Sequence, residues 1–145
     1  MRKILWLAVL AAFALGPTVG AADSALTMIE RFGLLGTWAS DCATDVTATR
    51  PGFRIIFGQS GSQPTYTTIS ADGDVRMTIR SAVMDALPLG GSRLKLVLRI
   101  IGGERDGGAL PSPTTNRFEQ TIEKLGADRI VLTGAAPQML QRCRN

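Results

Sequence analysis

The stretch RLKLVLRII, residues 93–101, decides the fold that we predict for this chain. Large apolar residues alternate in it with mostly charged ones: Leu94, Leu96, Leu98 and Ile100 against Arg93, Lys95, Val97 and Arg99. Because successive side chains of a β-strand point to opposite faces, this alternation puts the leucines on one face and the charges on the other. The stretch is therefore predicted to be a strand with one buried face.

Shorter segments with the same period of two lie on both sides of this strand. They are residues 35–42, 53–57, 65–69, 75–83, 118–122, 130–132 and 138–143. Glycine-containing turns such as Asp72-Gly73 and Gly90-Gly91 separate neighbouring segments at hairpin spacing. With no helical pattern between them, about eight short strands in sequential order predict an all-β fold, an antiparallel up-and-down meander closed as a small barrel or packed as a sandwich.

A single short helix is predicted ahead of the first strand. Ser24 is the expected N-cap of a helix over residues 25–31, because its hydroxyl can accept a backbone N–H of the first turn. Gly33 is expected to end the helix.

The first residues of the chain have the order of a secretory signal peptide. Arg2 and Lys3 precede an unbroken apolar run of 12 residues, and small residues at 19–22 follow it. The run is shorter than the ~20 residues that span a bilayer. We therefore predict that residues 1–22 are removed on export, and that residues 23–145 form one domain in the periplasm or outside the cell, without a stable membrane anchor.

The charge of the chain argues against one class of partner. Without Arg2 and Lys3, the 16 basic residues become 14, against 12 acidic ones. These residues are spread singly along the sequence, whereas nucleic-acid-binding domains gather their basic residues on one face. We therefore expect no nucleic-acid partner.

Cys42 and Cys143 are the only cysteines of the chain. An even cysteine count in an exported protein predicts a disulfide. Cys42 ends the first predicted strand and Cys143 lies in the last, so the two are at opposite edges of an open meander. Closure into a barrel, or a sandwich with the same adjacency, makes these strands neighbours, and the cysteine pair therefore favours a closed sheet.

The residue types present argue against most catalytic and metal chemistry. The chain has no histidine, the usual base of serine and cysteine nucleophile systems. Zinc, copper and non-haem iron sites use histidine or clustered cysteine. Two carboxylate pairs remain, Asp41 with Asp45 and Asp72 with Asp74, and the second has the composition of a hairpin turn. We predict no enzymatic activity and no cofactor or metal.

Two residues are candidates for ligand contacts if the barrel holds a cavity. Gln120 lies between two apolar residues on a face predicted to point inward, where a buried amide must be hydrogen-bonded. Tyr66, the only tyrosine, fits a half-exposed strand position as well as a pocket. Two long loops, residues 43–52 and 102–116, are further candidates, since loops on a rigid scaffold often hold binding residues.

Gly36-Thr37-Trp38, with a helical segment before it, resembles the start of the lipocalins and the wider calycin barrels. The resemblance implies that Trp38 closes one end of the barrel. It also implies that a basic residue of the last strand, Arg142 or Arg144, packs on the Trp38 ring in a cation–π contact of ~0.5–2 kcal/mol.

The chain is also similar to two other groups of small exported proteins. Secreted inhibitors of bacterial metalloproteases are small barrels with the same Gly-x-Trp start and one disulfide. In them an N-terminal segment enters the protease cleft, and residues 22–33 occupy that place here. Small exported bacterial proteins of unassigned function share a Gly-x-Trp-x-x-x-Cys start and a near-terminal cysteine. This last resemblance covers nearly the whole chain and implies no activity.

These observations lead to one functional hypothesis and one alternative. The first is a secreted, non-catalytic binding module for a small apolar or amphipathic ligand. The alternative is an inhibitor or accessory factor that binds another exported protein through its loops and N-terminal segment. An open apolar pocket of ~300 Å³ or more would favour the ligand, whereas a filled core with an exposed apolar patch would favour the protein partner.

Overall fold

The part of the chain that the structure describes folds as nine antiparallel β-strands and one short helix. A computed structural model describes residues 24–111 and 116–144, so the predicted signal peptide lies outside the described residues. The helix, α1, spans Ala25–Arg31. The strands are β1 (Gly36–Ala39), β2 (Gly52–Ser60), β3 (Gln63–Asp72), β4 (Val75–Pro88), β5 (Arg93–Arg105), β6 (Gly108–Ala109), β7 (Arg117–Lys124), β8 (Arg129–Thr133) and β9 (Gln138–Arg142).

Eight of these strands form the wall of a closed barrel. Their order around the wall is β4-β3-β2-β1-β9-β8-β7-β5, and β4 also pairs with β5. The short strand β6 pairs only with the end of β5. The predicted all-β barrel of about eight strands is therefore confirmed, and the pairing of β1 with β9 distinguishes it from an open sandwich.

The interior of the barrel is filled by the apolar faces that the period of two predicts. Leu98 of β5 pairs with Val83 on one side and Phe118 on the other, and directly paired residues share a face of the sheet. The largest fully buried side chains are Trp38, Tyr66, Ile29, Leu34, Ile55, Leu94, Leu96, Leu98, Ile122, Ile130, Leu140 and Val83. An eight-stranded barrel has just enough room for such side chains, so little interior space is left for a ligand.

Helix α1 closes one end of the barrel. The predicted N-cap is present, because the Ser24 hydroxyl accepts the Thr27 N–H at 3.2 Å. Met28 and Ile29 on the helix are buried in the same cluster as the strand side chains. Among the described residues, no helix is both long and apolar enough to cross a bilayer.

Strand β5 is longer than the sequence predicts, because it continues through Gly102-Gly103 to Arg105. The register of β5 against β4 shifts by one residue at Ile101, and pairing then resumes. A Cβ on Gly103 would lie 2.9 Å from the Thr78 carbonyl oxygen and 3.1 Å from Leu110 Cδ1. Glycine is therefore required at this position for close packing, and the prediction of a loop beginning at residue 102 is wrong.

Strand β1 is shorter than predicted and ends at Ala39, three residues before Cys42. The following backbone still bonds to β2 at one point, where the Ser40 N–H donates to the Phe53 carbonyl at 3.0 Å. Cys42 therefore belongs to the loop after β1 rather than to the strand.

Candidate functional site

The helix-covered end of the barrel is organised around Trp38 and Arg142. The guanidinium carbon of Arg142 lies 4.3 Å from the centroid of the Trp38 ring, which is fully buried. Trp38 Nε1 donates to the Leu34 carbonyl at 2.8 Å. Arg142 donates to the Leu35 carbonyl at 2.9 Å and to the Gly33 carbonyl. Both side chains therefore fix the segment that links α1 to β1.

Arg144, the other arginine expected near this ring, shares with Arg142 the Asp128 carboxylate, which lies 3.6 Å from Arg142 Nε. Its guanidinium pairs with the Asp128 carboxylate, and its side chain is 79% exposed. Of the two arginines, Arg142 is the one that contacts Trp38.

Cys42 and Cys143 form the predicted disulfide, with Cα atoms 5.3 Å apart. Cys143 follows β9, and its N–H donates to the Thr37 carbonyl of β1 at 2.8 Å. The bridge therefore reinforces the junction between β1 and β9, where the barrel closes.

Gln120 lies on the inward face of β7, opposite Leu96 of β5. Its amide nitrogen donates to the carbonyls of Thr121 and Thr133, at 2.9 and 3.0 Å. The donor side of this amide is therefore occupied by backbone carbonyls of β7 and β8.

Tyr66 is buried inside the barrel, where its ring meets Phe57 edge to face at 5.2 Å between centroids. It pairs across β3 and β4 with Ser81, whose buried hydroxyl has no hydrogen-bond partner among the described residues. Burial raises the pKa of the Tyr66 phenol above its ordinary value of 10.0. Neither Tyr66 nor Gln120 lines any of the three clefts described below, and their role in ligand binding stays a prediction.

An apolar cleft of about 190 Å³ lies at the barrel end away from α1; we call it the mouth cleft. It is lined by Ile79, Ile100, Gly102, Gly103, Leu110 and Pro111. The Lys124 N–H bonds to the Ser92 carbonyl just before β5, and the Lys124 ammonium donates to the Phe32 carbonyl beside α1. Strand β5 therefore begins at the helix-covered end of the barrel and runs to the mouth cleft. Ile100 pairs with the buried Ser81, so both face inward.

A larger cleft of about 440 Å³ lies on the outer face of β2, β3 and β4; we call it the arginine cleft. It is lined by Asp45, Val46, Thr47, Arg54, Ile69 and Arg76. A third and shallower cleft, of about 160 Å³, is lined by Ser40, Arg129, Met139, Leu140 and Gln141.

The carboxylates of the first pair considered in the sequence, Asp41 and Asp45, bond to neighbouring groups of the protein. Asp41 accepts the Ala43 N–H and the Thr44 hydroxyl, each at 2.9 Å, and these bonds hold the pKa of its carboxyl below the ordinary value. Asp45 pairs with Arg54 at 3.1 Å. Among residues 24–111 and 116–144, no group of three or more Cys, Asp and Glu is arranged to hold a metal ion.

Sequence reasoning named the loop of residues 43–52, which supplies Asp45, Val46 and Thr47 to the arginine cleft, but it did not identify the two arginines. Arg54 and Arg76 are 22 positions apart and lie in strands whose pattern showed only alternation. They come together because β2, β3 and β4 pair in one particular register, and because the loop after β1 folds back over their outer face. No local motif encodes either event.

The chain was compared with protein-family models, with curated proteins and with solved structures, and nothing matches.

Proposed function

We propose that the protein is an exported, non-catalytic binding module that takes an apolar or amphipathic group at the mouth cleft. The observation that supports this proposal is the set of apolar side chains left open at that end of an otherwise filled barrel. Open clefts with apolar walls are the usual sites for small ligands. Phe118 adds apolar surface near this end, since it pairs with Leu98 on the inward face and is 36% exposed.

The size of the mouth cleft limits how much of a ligand it can bind. A volume of about 190 Å³ is below the ~300–1,000 Å³ typical of sites that enclose a drug-sized ligand. The rest of the barrel interior is packed with buried side chains. We therefore infer that only the apolar end of a ligand enters, while its polar part stays at the rim.

Export is part of the proposal, and the disulfide supports it. Disulfides persist in oxidising compartments such as the periplasm and the extracellular space, and are rare in the cytosol. The Trp38–Arg142 contact and the helix over the same end support the resemblance to Gly-x-Trp barrels, which we keep as a hypothesis about ancestry.

A protein partner is the second candidate. The filled core favours it over a ligand enclosed in the barrel, whereas a ligand that inserts only its apolar end needs no enclosed cavity. A cleft of about 190 Å³ suits a single apolar side chain of another protein. The segment from Ser24 to Gly33 is a poor candidate for insertion into a partner, because Met28 and Ile29 are part of the barrel core. A partner would therefore use the mouth cleft and its surrounding loops.

Native mass spectrometry of the exported protein, purified from its own cell envelope without detergent, tests the proposal. A retained small molecule supports the ligand, and a stable complex with another protein supports the second candidate. Leu110→Asp puts a charge in the cleft and is expected to abolish the bound species. The matched control is Leu125→Asp, since Leu125 is exposed and lies just after β7, at the opposite end.

The proposal fails if the bound species survives Leu110→Asp, or if Leu125→Asp removes it equally. The proposal also fails if two results occur together. The first is that the purified protein has the mass of the polypeptide alone, with no bound species. The second is that the protein does not enhance the emission of N-phenyl-1-naphthylamine, a neutral apolar fluorophore.

A further inference from the structure

The register of three strands brings Arg54 and Arg76 to one patch of the outer barrel surface. Arg54 pairs directly with Ile69 of β3, and Arg76 pairs with Ala71, two residues further along the same strand. Since residues two apart on a strand share a face, both arginines lie on the same face as Ile69. The loop after β1 covers this face, buries Val46 beside Gly52, and forms the rim of the arginine cleft.

The two guanidinium groups are incompletely paired. Arg54, whose side chain is only 18% exposed, donates to Asp45 and to the Thr44 carbonyl, but its buried Nε has no acceptor among the described residues. Arg76 uses Nε to donate to the Val46 carbonyl at 3.0 Å. The two terminal nitrogens of Arg76 make no hydrogen bond to any described residue.

The charges that line the cleft leave an excess of positive charge. Asp45 is the only acidic residue among the lining residues, and its side chain is 88% exposed. Two cations with one solvent-exposed counter-ion attract an anion, and a partly buried guanidinium is weakly screened by water.

Arg76 is held in place by contacts outside the cleft. Its backbone N–H donates to the Asp106 carboxylate at 2.8 Å, and the Asp106 N–H donates back to the Arg76 carbonyl at 2.9 Å. Together with the bond from Nε to Val46, these contacts fix the backbone and the base of the guanidinium while the terminal fork stays available. A fork fixed in this way is preorganised for a ligand.

We propose that the arginine cleft binds a small carboxylate that bears a short apolar chain. The fork of Arg76 matches the two oxygens of a carboxylate, and Arg54 supplies the second positive charge. Val46 and Ile69 provide apolar contacts for the chain, and a volume of about 440 Å³ exceeds what a bare ion needs. This site is on the outer face of the sheet and does not depend on the mouth cleft.

Titration of the exported protein with hexanoate tests the proposal, followed by NMR of the arginine side-chain Nε–H groups and by calorimetry. Hexanamide, which has the same chain without the charge, and inorganic phosphate are titrated in parallel. We expect hexanoate to bind at millimolar concentration or below, and to shift the Nε–H resonances of Arg54 and Arg76. Added salt should weaken the binding.

Arg76→Gln is expected to lower the affinity for hexanoate by about ten-fold or more, as for loss of a charge-assisted hydrogen-bond pair. The matched control is Arg80→Gln, because Arg80 lies on the same strand, points outward and pairs with Glu104 outside the cleft. Arg80→Gln should change the affinity less than about two-fold. If Arg76→Gln does not fold, Arg76→Lys keeps the charge and should still weaken binding, because lysine lacks the fork.

Several results would overturn the proposal. Equal effects of Arg76→Gln and Arg80→Gln would show non-specific attraction, and hexanamide binding as tightly as hexanoate would show that the charge is irrelevant. Tighter binding of inorganic phosphate than of hexanoate would refute the assignment to a carboxylate. The absence of any shift at Arg54 and Arg76 in the presence of millimolar hexanoate would refute the site itself.

Discussion

The guanidinium of Arg142 stacks 4.3 Å from the centroid of the Trp38 ring, and the two residues are direct partners in the β1–β9 ladder. A cation over the face of tryptophan is attracted by the ring quadrupole, more strongly when both groups are shielded from water. The same arginine also holds the carbonyls of Gly33 and Leu35. The Trp38 ring, the Arg142 guanidinium and the backbone of residues 33–35 are therefore packed and hydrogen-bonded together at the helix-covered end of the barrel.

Trp38→Ala is expected to destabilise the protein by ~3–5 kcal/mol, the range for truncating a large buried aromatic side chain. The indole is fully buried, and its N–H bond to the Leu34 carbonyl is lost with it. Urea unfolding followed by circular dichroism measures the change. Trp38→Phe should give an intermediate loss, and a loss below about 1 kcal/mol for alanine would show that the ring does not close the barrel.

Arg142→Lys is expected to cost about 1–3 kcal/mol, although the charge is kept. A lysine ammonium lacks the planar fork that reaches two carbonyls while stacking on the ring. Arg144→Lys is the matched control, because Arg144 is exposed and shares the Asp128 carboxylate with Arg142; its effect should stay within ~0.5 kcal/mol. Equal losses in the two variants, measured by urea unfolding, would contradict a special role for Arg142.

Reduction of the Cys42–Cys143 bridge is expected to lower the free energy of unfolding by up to ~4.7 kcal/mol, the chain-entropy figure for a loop of about 100 residues. The bridge closes a span of 101 positions. Non-reducing mass spectrometry of exported protein after unfolding and alkylation should find no free thiol. Two alkylated cysteines without reductant would refute the bridge, and the Cys42→Ser/Cys143→Ser double variant gives an independent measure of its contribution.

Gly103→Ala is expected to destabilise the protein by ~1–3 kcal/mol through overpacking. The added methyl would lie 2.9 Å from the Thr78 carbonyl oxygen, which is backbone and cannot move aside alone. Gly102→Ala is the matched control, since a Cβ at that position would meet only the Arg80 side chain at 3.5 Å. Thermal unfolding measures the change. Equal decreases in the unfolding midpoints of the two variants would show that residue 103 is not tightly packed.

Tyr66 is expected to make stability fall above pH 10. Burial raises its pKa in the folded state above 10.0, so the unfolded chain releases the phenolic proton first as the pH rises. The contribution of Tyr66 is therefore fully present below pH 10.0, and above it decreases by up to ~1.4 kcal/mol per pH unit until the folded-state pKa is reached.

Tyr66→Phe isolates this effect from the titration of other groups. The variant should match the parent protein at neutral pH within about 1 kcal/mol, because phenylalanine keeps the buried ring and its contact with Phe57. Since Tyr66 is the only tyrosine, the near-ultraviolet phenolate band reports its ionisation directly. A phenolate signal in folded protein near pH 10, or equal alkaline unfolding of both proteins, would contradict the prediction.

The barrel itself could be predicted from the sequence because its signals are local. The three leucines at alternate positions, Leu94, Leu96 and Leu98, predict a buried strand face without any knowledge of the residues that pack against it. The resemblance of Gly36-Thr37-Trp38 to calycin barrels pointed to an arginine of the last strand, and Arg142 lies on the ring. The extension of β5 could not be predicted, since Gly103 has the appearance of a loop residue until Leu110 is known to pack on it.

The two clefts could not be predicted because they depend on contacts between distant parts of the chain. The mouth cleft needs Leu110 and Pro111 to approach Ile79, and the arginine cleft needs Val46 to fold onto β2. The inward position of Gln120 made it a candidate for a ligand contact. Its amide donors instead satisfy the carbonyls of Thr121 and Thr133, which the register of β7 against β8 places side by side.

The ladder between β1 and β9 has only two registered residue pairs, fewer than any other junction in the barrel wall. It also joins the two strands of the wall that are furthest apart in the chain, so its closure carries the largest loop-closure cost in entropy. Until it forms, the chain is an open ribbon with two unprotected borders that can pair with other copies. Since the disulfide joins the segments that flank this ladder, we expect the Cys42→Ser/Cys143→Ser variant to self-associate at lower concentration than the parent protein.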